Sequence, residues 1–204
     1  AQVSSATGHI YGFFGAAALE GSGHVKVTGL NSKWTMSGDL DMDSTRSAML
    51  TIEDGAEVKN ANARIFEGGH IKVTGNGSRW INSGRLEVGI FGMNSLTIEN
   101  GARVESAGGF LDTQDDSTTV ATITGPGSLW KLTNAGWPNT GFLYMGSGGT
   151  MNLRDGGQVM TASNMEVRGL ATIDVGSNSL VSINNGNGQL QNDGVIRILA
   201  GPGA

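Results

Sequence analysis

Residues 70–107, HIKVTGNGSRWINSGRLEVGIFGMNSLTIENGARVESA, repeat residues 24–61 without a gap, with 18 of 38 positions identical. A third, looser copy runs from Val120 to Ala162 and carries TITGPGSLW, FLYMGSGG and TMNLRDGGQV. The landmark tryptophans Trp34, Trp80 and Trp130 are 46 and then 50 residues apart. Self-similarity at this length marks units that cannot bury their apolar faces alone and must stack on their neighbours. The expectation is one elongated domain over 1–204: an irregular first coil or cap over 1–23, three sequence repeats over 24–162 and degenerate terminal coils over 163–204.

Within each copy the hydrophobic period is two. Val25 and Val27 alternate with Lys26 and Thr28, Leu40 and Met42 with Asp39, Asp41 and Asp43, and Leu50 and Ile52 with Thr51 and Glu53. Such runs are strands with one buried and one wet face, and the Gly, Asn, Asp and Ser that follow each run are corner residues. The second copy keeps the inward set (Val73, Leu86, Val88, Leu96, Ile98, Val104), while outward positions change, with Arg85 in place of Asp39 and Arg103 in place of Glu57. In the third copy the inward set is Ile123, Leu143, Met145, Met151, Leu153 and Val159. Several short strands per repeat and no helical periodicity specify an all-β fold, a right-handed parallel β-helix of about two coils per 46–50-residue repeat, some nine coils in all.

Composition narrows the function classes. The 34 glycines suit many tight corners, and the absence of cysteine removes disulfide scaffolds, thiolate metal sites and cysteine nucleophiles. A net charge of −5 with scattered cations offers no field for nucleic acid, and no apolar run is long enough to span a bilayer as a helix. Residues 1–23 contain no Lys or Arg, which argues against an amphipathic membrane anchor. The opening AQVSS has the small-residue character left behind by signal peptidase, which implies export.

The repeat VTGxGSxWxxSGxLxVGxxGxxxLTIxxGAxV, present as Val73 to Val104, resembles the passenger repeats of bacterial autotransporters and of related large surface proteins with PEP-CTERM-type sorting tails. The resemblance covers 24–162 strongly and the rest loosely. It implies an exported right-handed β-helix at a bacterial surface, acting in adhesion, aggregation or matrix, and it carries no catalytic residue. No membrane barrel and no sorting tail occur within these residues, so the expectation is either a passenger fragment or a short stand-alone relative.

Few residues invite a chemical reading. Gly29, Gly75 and Gly125 open corners such as Gly75-Asn76-Gly77-Ser78 and Gly125-Pro126-Gly127-Ser128, which lack the lysine and following helix of a phosphate loop. Trp34, Trp80 and Trp130 share one repeat column, so an indole ladder along an edge of the core is expected. His24 and His70, preceded by Glu20 and Glu67, are possible metal ligands on adjacent coils, but the third copy has Val120 there. Asp39, Asp41 and Asp43 imitate half a calcium loop on what reads as a solvated strand face. Asp112, Asp115 and Asp116, in the longer spacer FLDTQDDSTT, are better calcium candidates. Trp137, Pro138 and Asn139 occupy an insertion between Trp130 and Leu143, and insertions on a solenoid become loops that bind.

No cofactor, metal or catalytic set is expected. The leading expectation is a non-enzymatic, secreted or surface-displayed structural or adhesive protein whose partners are copies of itself or cell-surface glycans and proteins. One alternative is a filament subunit stacking end to end, since exposed sheet edges invite pairing. Another is a glycan-degrading β-helix enzyme, which needs convergent carboxylates that the sign-changing outward columns do not supply.

Overall fold

The structure is a computed structural model that describes residues 2–5, 8–12, 23–44, 47–111, 118–133, 140–184 and 188–199, and of residues 8–12 and 44 the backbone alone. The chain winds through three sheets in turn, leaving one strand in each per coil. The first sheet holds β1 (Gln2–Ser5), β4 (Lys33–Met36), β7 (Glu57–Asn60), β10 (Arg79–Asn82), β13 (Arg103–Ser106), β16 (Leu129–Leu132), β19 (Gln158–Thr161) and β22 (Leu180–Ile183). The second holds β2 (Gly8–Gly12), β5 (Leu40–Ser44), β8 (Ala63–Ile65), β11 (Arg85–Val88), β14 (Gly108–Leu111), β17 (Leu143–Met145), β20 (Met165–Val167) and β23 (Leu190–Asn192). The third holds β3 (Gly23–Thr28), β6 (Ala48–Glu53), β9 (Gly69–Thr74), β12 (Met93–Glu99), β15 (Thr118–Thr124), β18 (Gly149–Arg154), β21 (Thr172–Val175) and β24 (Val195–Ile198).

Neighbouring strands pair in parallel, as in β9 with β12 and β10 with β13. The fold is therefore a β-solenoid. Among the described residues each sheet is eight strands deep, against the expected nine coils, and some coils are longer than an even division allows: Trp130 pairs with Val159, 29 residues on. Within the expected irregular first coil or cap, β1 and β2 pair in parallel with β4 and β5.

The core follows from the alternation. Val73, Leu86, Val88, Leu96, Ile98, Val104, Ile123, Leu143, Met145, Met151, Leu153 and Val159 are all fully buried. Each large aliphatic side chain so removed from water contributes about 2 kcal/mol. The seal weakens towards the last strands, where Leu180, Leu190 and Ile198 are 44%, 47% and 85% exposed.

The register explains why the sequence repeat spans two coils. Trp34 pairs with Val58, Val58 with Trp80, Trp80 with Val104 and Val104 with Trp130. A valine thus stands between successive indoles, so the expected continuous ladder does not form. Trp80 and Trp130 are fully buried rather than lining an edge. Each indole N–H donates instead to a polar side chain one coil back: Trp34 to Ser5 Oγ at 3.3 Å, Trp80 to Asn60 Oδ1 at 2.8 Å and Trp130 to Ser106 Oγ at 3.1 Å. Burial of an indole demands such a partner.

The corners between the third and first sheets alternate in the same way. Tryptophan coils turn on Gly29, Gly75 and Gly125 at φ of 95°, 90° and 89°, a region open to glycine. Valine coils turn on Asp54, Asn100 and Asp155, which also take positive φ, each followed by glycine. The two corner types clasp each other. Ser78 and Ser128 accept the N–H of Gly55 and Gly101 in the preceding coil, both at 3.0 Å. Thr28 donates to Asp54 at 3.0 Å, and Asn100 donates to Thr74 at 3.0 Å, in each case joining a tryptophan coil to the next valine coil.

Candidate functional site

The candidate loop residues Asp112, Asp115, Asp116, Trp137, Pro138 and Asn139 all lie outside the described residues, as does Glu20. The described strands show what surrounds the two segments: one joins β14 to β15 and the other joins β16 to β17. Gly29, Gly75 and Gly125 are corner residues, and the hydroxyls of Ser78 and Ser128 beside them are already engaged.

The histidines do not meet. His24 and His70 share a column, but Met49 stands between them on the intervening coil. His24 lies 3.4 Å from Thr51 Oγ1, and His70 lies 2.8 Å from Ser95 Oγ. Among the described residues no group of three or more His, Asp or Glu side chains is placed to hold a metal ion.

The outward side of the second sheet carries a polar groove beside an aromatic cluster. Asp41, Arg64 and Glu87 are successive neighbours in one column, and Phe110 and Tyr144 continue it. Arg64 donates twice to Asp41, at 2.8 and 3.0 Å, and approaches Asp39 at 3.5 Å. Asn62 donates to Asp39 at 2.9 Å and accepts the N–H of Arg85 at 3.0 Å. Asp39 and Asp41 are therefore tied across coils, rather than merely solvated as the sequence suggests. Asp39, Asn62, Arg64, Arg85 and Glu87 line a shallow groove of about 260 Å³. At its end the Arg85 guanidinium lies 5.3 Å from the Phe110 ring, within cation–π range. Phe110 in turn sits 6.3 Å from Phe142 and from Tyr144, tilted by 58° and 36°.

The outward side of the first sheet is different. Among the described residues its strands carry five cations, Lys33, Lys59, Arg79, Arg103 and Lys131, against the carboxylates Glu57 and Glu105. Glu57 is taken up by Lys33 and Lys59, at 3.3 and 3.1 Å. Arg79 and Arg103 are directly opposite each other on paired strands, both exposed, and neither has an ion-pair partner among the described residues. With Asn76, Gly77, Ser78 and Gly101 they line a hollow of about 280 Å³ at the corner.

On the third sheet, Lys26 and Lys72 reach Glu53 and Glu99 in the next coil, at 2.5 and 2.8 Å. The Lys26 contact holds the Glu53 carboxyl below the ordinary glutamate range. At Glu57 burial pushes the carboxyl up, but pairing with Lys59 and Lys33 outweighs it and the net shift is downward. Both are shifts of structural ion pairs, opposite in direction to the raised carboxyl that a general acid at neutral pH needs.

Compared with family models, curated proteins and solved structures, the chain matches none.

Proposed function

We propose that this chain is a non-enzymatic structural protein, exported to a bacterial surface, where it serves as a passenger-like rod in adhesion or aggregation. One observation carries the reading: many of the described charged side chains are spent on neighbouring coils, as in Lys26–Glu53, Lys72–Glu99, Arg64–Asp41 and Arg197–Asp174. Coils locked in this way make a stiff display surface. The passenger-like repeat supports the surface location.

The test presents the purified chain on beads or on non-adherent cells and scores clumping, alongside release of reducing ends from acidic and neutral polysaccharides. Clumping without release is expected. Release that Asp115→Asn or Asp116→Asn abolishes would replace the reading with a glycan-degrading enzyme.

A second reading, end-to-end assembly, is favoured by the end strands β22, β23 and β24. They leave Leu180, Leu190, Val195 and Ile198 exposed, and Ile173, Val181, Ile183 and Ile196 line a cavity beside them. Ile196 and Ile198 stand in the columns that begin with Val25 and Val27, so an in-register stack of copies would set Arg197 beside Lys26. Assembly is therefore expected to strengthen with salt as that repulsion is screened. Negative-stain images showing uniform short particles at every salt concentration would remove this reading.

A further inference from the structure

The basic face of the first sheet stands out in a chain of net charge −5. Most cations on the other two faces touch a carboxylate of their own or a neighbouring coil. Arg79 and Arg103 instead face each other across a strand pair, about 4.8 Å apart at the backbone. Like charges directly opposite on neighbouring strands are destabilising. Neither folding nor solubility calls for them, since an acidic chain is kept apart from its copies by its negative charge. Guanidinium pairs are suited to planar or tetrahedral oxyanions, to which they donate two bonds each. The hollow between them and the Asn76 corner gives such an anion a seat open to solvent on one side.

We propose that Arg79 and Arg103, with the adjoining hollow, form a subsite for the carboxylate or sulfate group of an acidic glycan. Lys33, Lys59 and Lys131 lie along the same face and give a polymer further cationic contacts at coil spacing. Two carboxylates oppose binding: Glu57, opposite Arg79 on the neighbouring strand and held by Lys33 and Lys59, and Glu105, two residues beyond Arg103. The proposal rests on the surface-rod reading, because a repeating anion matched to a repeating face is what an extended display surface would meet.

The test is retention of the full chain on immobilised polygalacturonate, a sulfated glycan, amylose and double-stranded DNA, each over a salt gradient. Wild type is expected to be held by one of the two acidic glycans and released by salt, and the resin needing more salt identifies the carboxylate or sulfate. The double variant R79Q/R103Q is expected to bind about tenfold or more weakly, and Glu105→Gln to bind more tightly. Melting curves of the double variant should be unchanged or shifted upward, which separates lost binding from lost folding. Unchanged retention of R79Q/R103Q, equal retention on amylose, or retention on DNA matching that on the glycans would overturn the proposal. Clumping with unchanged glycan retention of R79Q/R103Q removes the subsite and leaves the rod reading intact. Glycan retention without clumping does the reverse.

Discussion

The first and second sheets solve one packing problem from opposite sides. Along the first sheet the inward column reads Trp34, Val58, Trp80, Val104, Trp130, Val159; along the second, in the same coils, it reads Leu40, Ala63, Leu86, Gly109, Leu143, Met165. From Trp34 to Leu143, a coil that is bulky in one sheet is bulky in the other, and the next coil is small in both. The indole leans back over the small coil, where its N–H finds Asn60 or Ser106. Gly109 shows how tight the fit is, because a Cβ there would lie 2.8 Å from both Trp130 and Leu132. The lesson is that the unit of this solenoid is a pair of unlike coils. Their outward sides differ too, with charges tied across coils on the second sheet and two arginines left facing each other on the first.

The largest expected effect tests the bulky half of that pairing. Trp80→Ala removes a fully buried indole and leaves the Asn60 side-chain oxygen Oδ1 without the indole donor. A loss of about 3–5 kcal/mol is expected in denaturant melts. Trp34→Ala should cost clearly less, since Trp34 is only partly buried. Equal losses at the two sites would mean that the two-coil clasp contributes little.

Next in size is the small half. Gly109→Ala forces a methyl against Trp130 and Leu132 and should cost about 1–3 kcal/mol. Combined with Trp130→Leu, the same change should cost much less than it does alone, a coupling that a double-mutant cycle measures directly. Additive losses would show that Gly109 answers to Leu132 and Leu143 rather than to the indole.

Much of this architecture was legible in the residues themselves. Period-two alternation located the inward set, because valine, leucine and isoleucine at every second place have only one face to bury. The corners were legible because positive φ favours Gly, Asn and Asp, and those residues punctuate every run. What escaped was the contact between unlike coils. Comparing residues 46 apart skips the coil that each strand touches, so the change from Asp39 to Arg85 looked like free drift although Asn62 joins the two. The indole partners were hidden for a related reason. Ser5, Asn60 and Ser106 differ in type, lie 29, 20 and 24 residues before their tryptophans, and are polar at inward positions. The aromatic cluster of Phe110, Phe142 and Tyr144 also went unread, because its members come from two strands and the residue leading into one of them, which only the coil register brings together.

The outward charges give smaller and pH-dependent effects. Pairing with Lys59 and Lys33 holds the Glu57 carboxyl below its ordinary range despite partial burial. A depressed carboxyl binds protons more readily in the unfolded chain. Its contribution is therefore complete above the ordinary glutamate value of about 4.3 and fades as pH falls through the lower folded value. Glu57→Gln is expected to lower stability by up to about 1 kcal/mol at pH 7 and to leave it unchanged well below pH 4. A loss of equal size at both pH values would trace the effect to packing instead of charge.

The smallest expected change carries the opposite sign, and it is the one that most sharpens the contrast between the two outer faces. Arg64→Ala on the second sheet breaks a bidentate pair with Asp41 and should cost about half a kcal/mol. Arg103→Gln on the first sheet relieves a like-charge pair and should gain a few tenths of a kcal/mol, the gain shrinking as salt screens Arg79 from its neighbour. A residue whose removal stabilises the fold is kept for something other than stability. If Arg103→Gln instead lowers the melting point at low salt, the arginine belongs to the fold's own charge ladder and the two outer faces are alike.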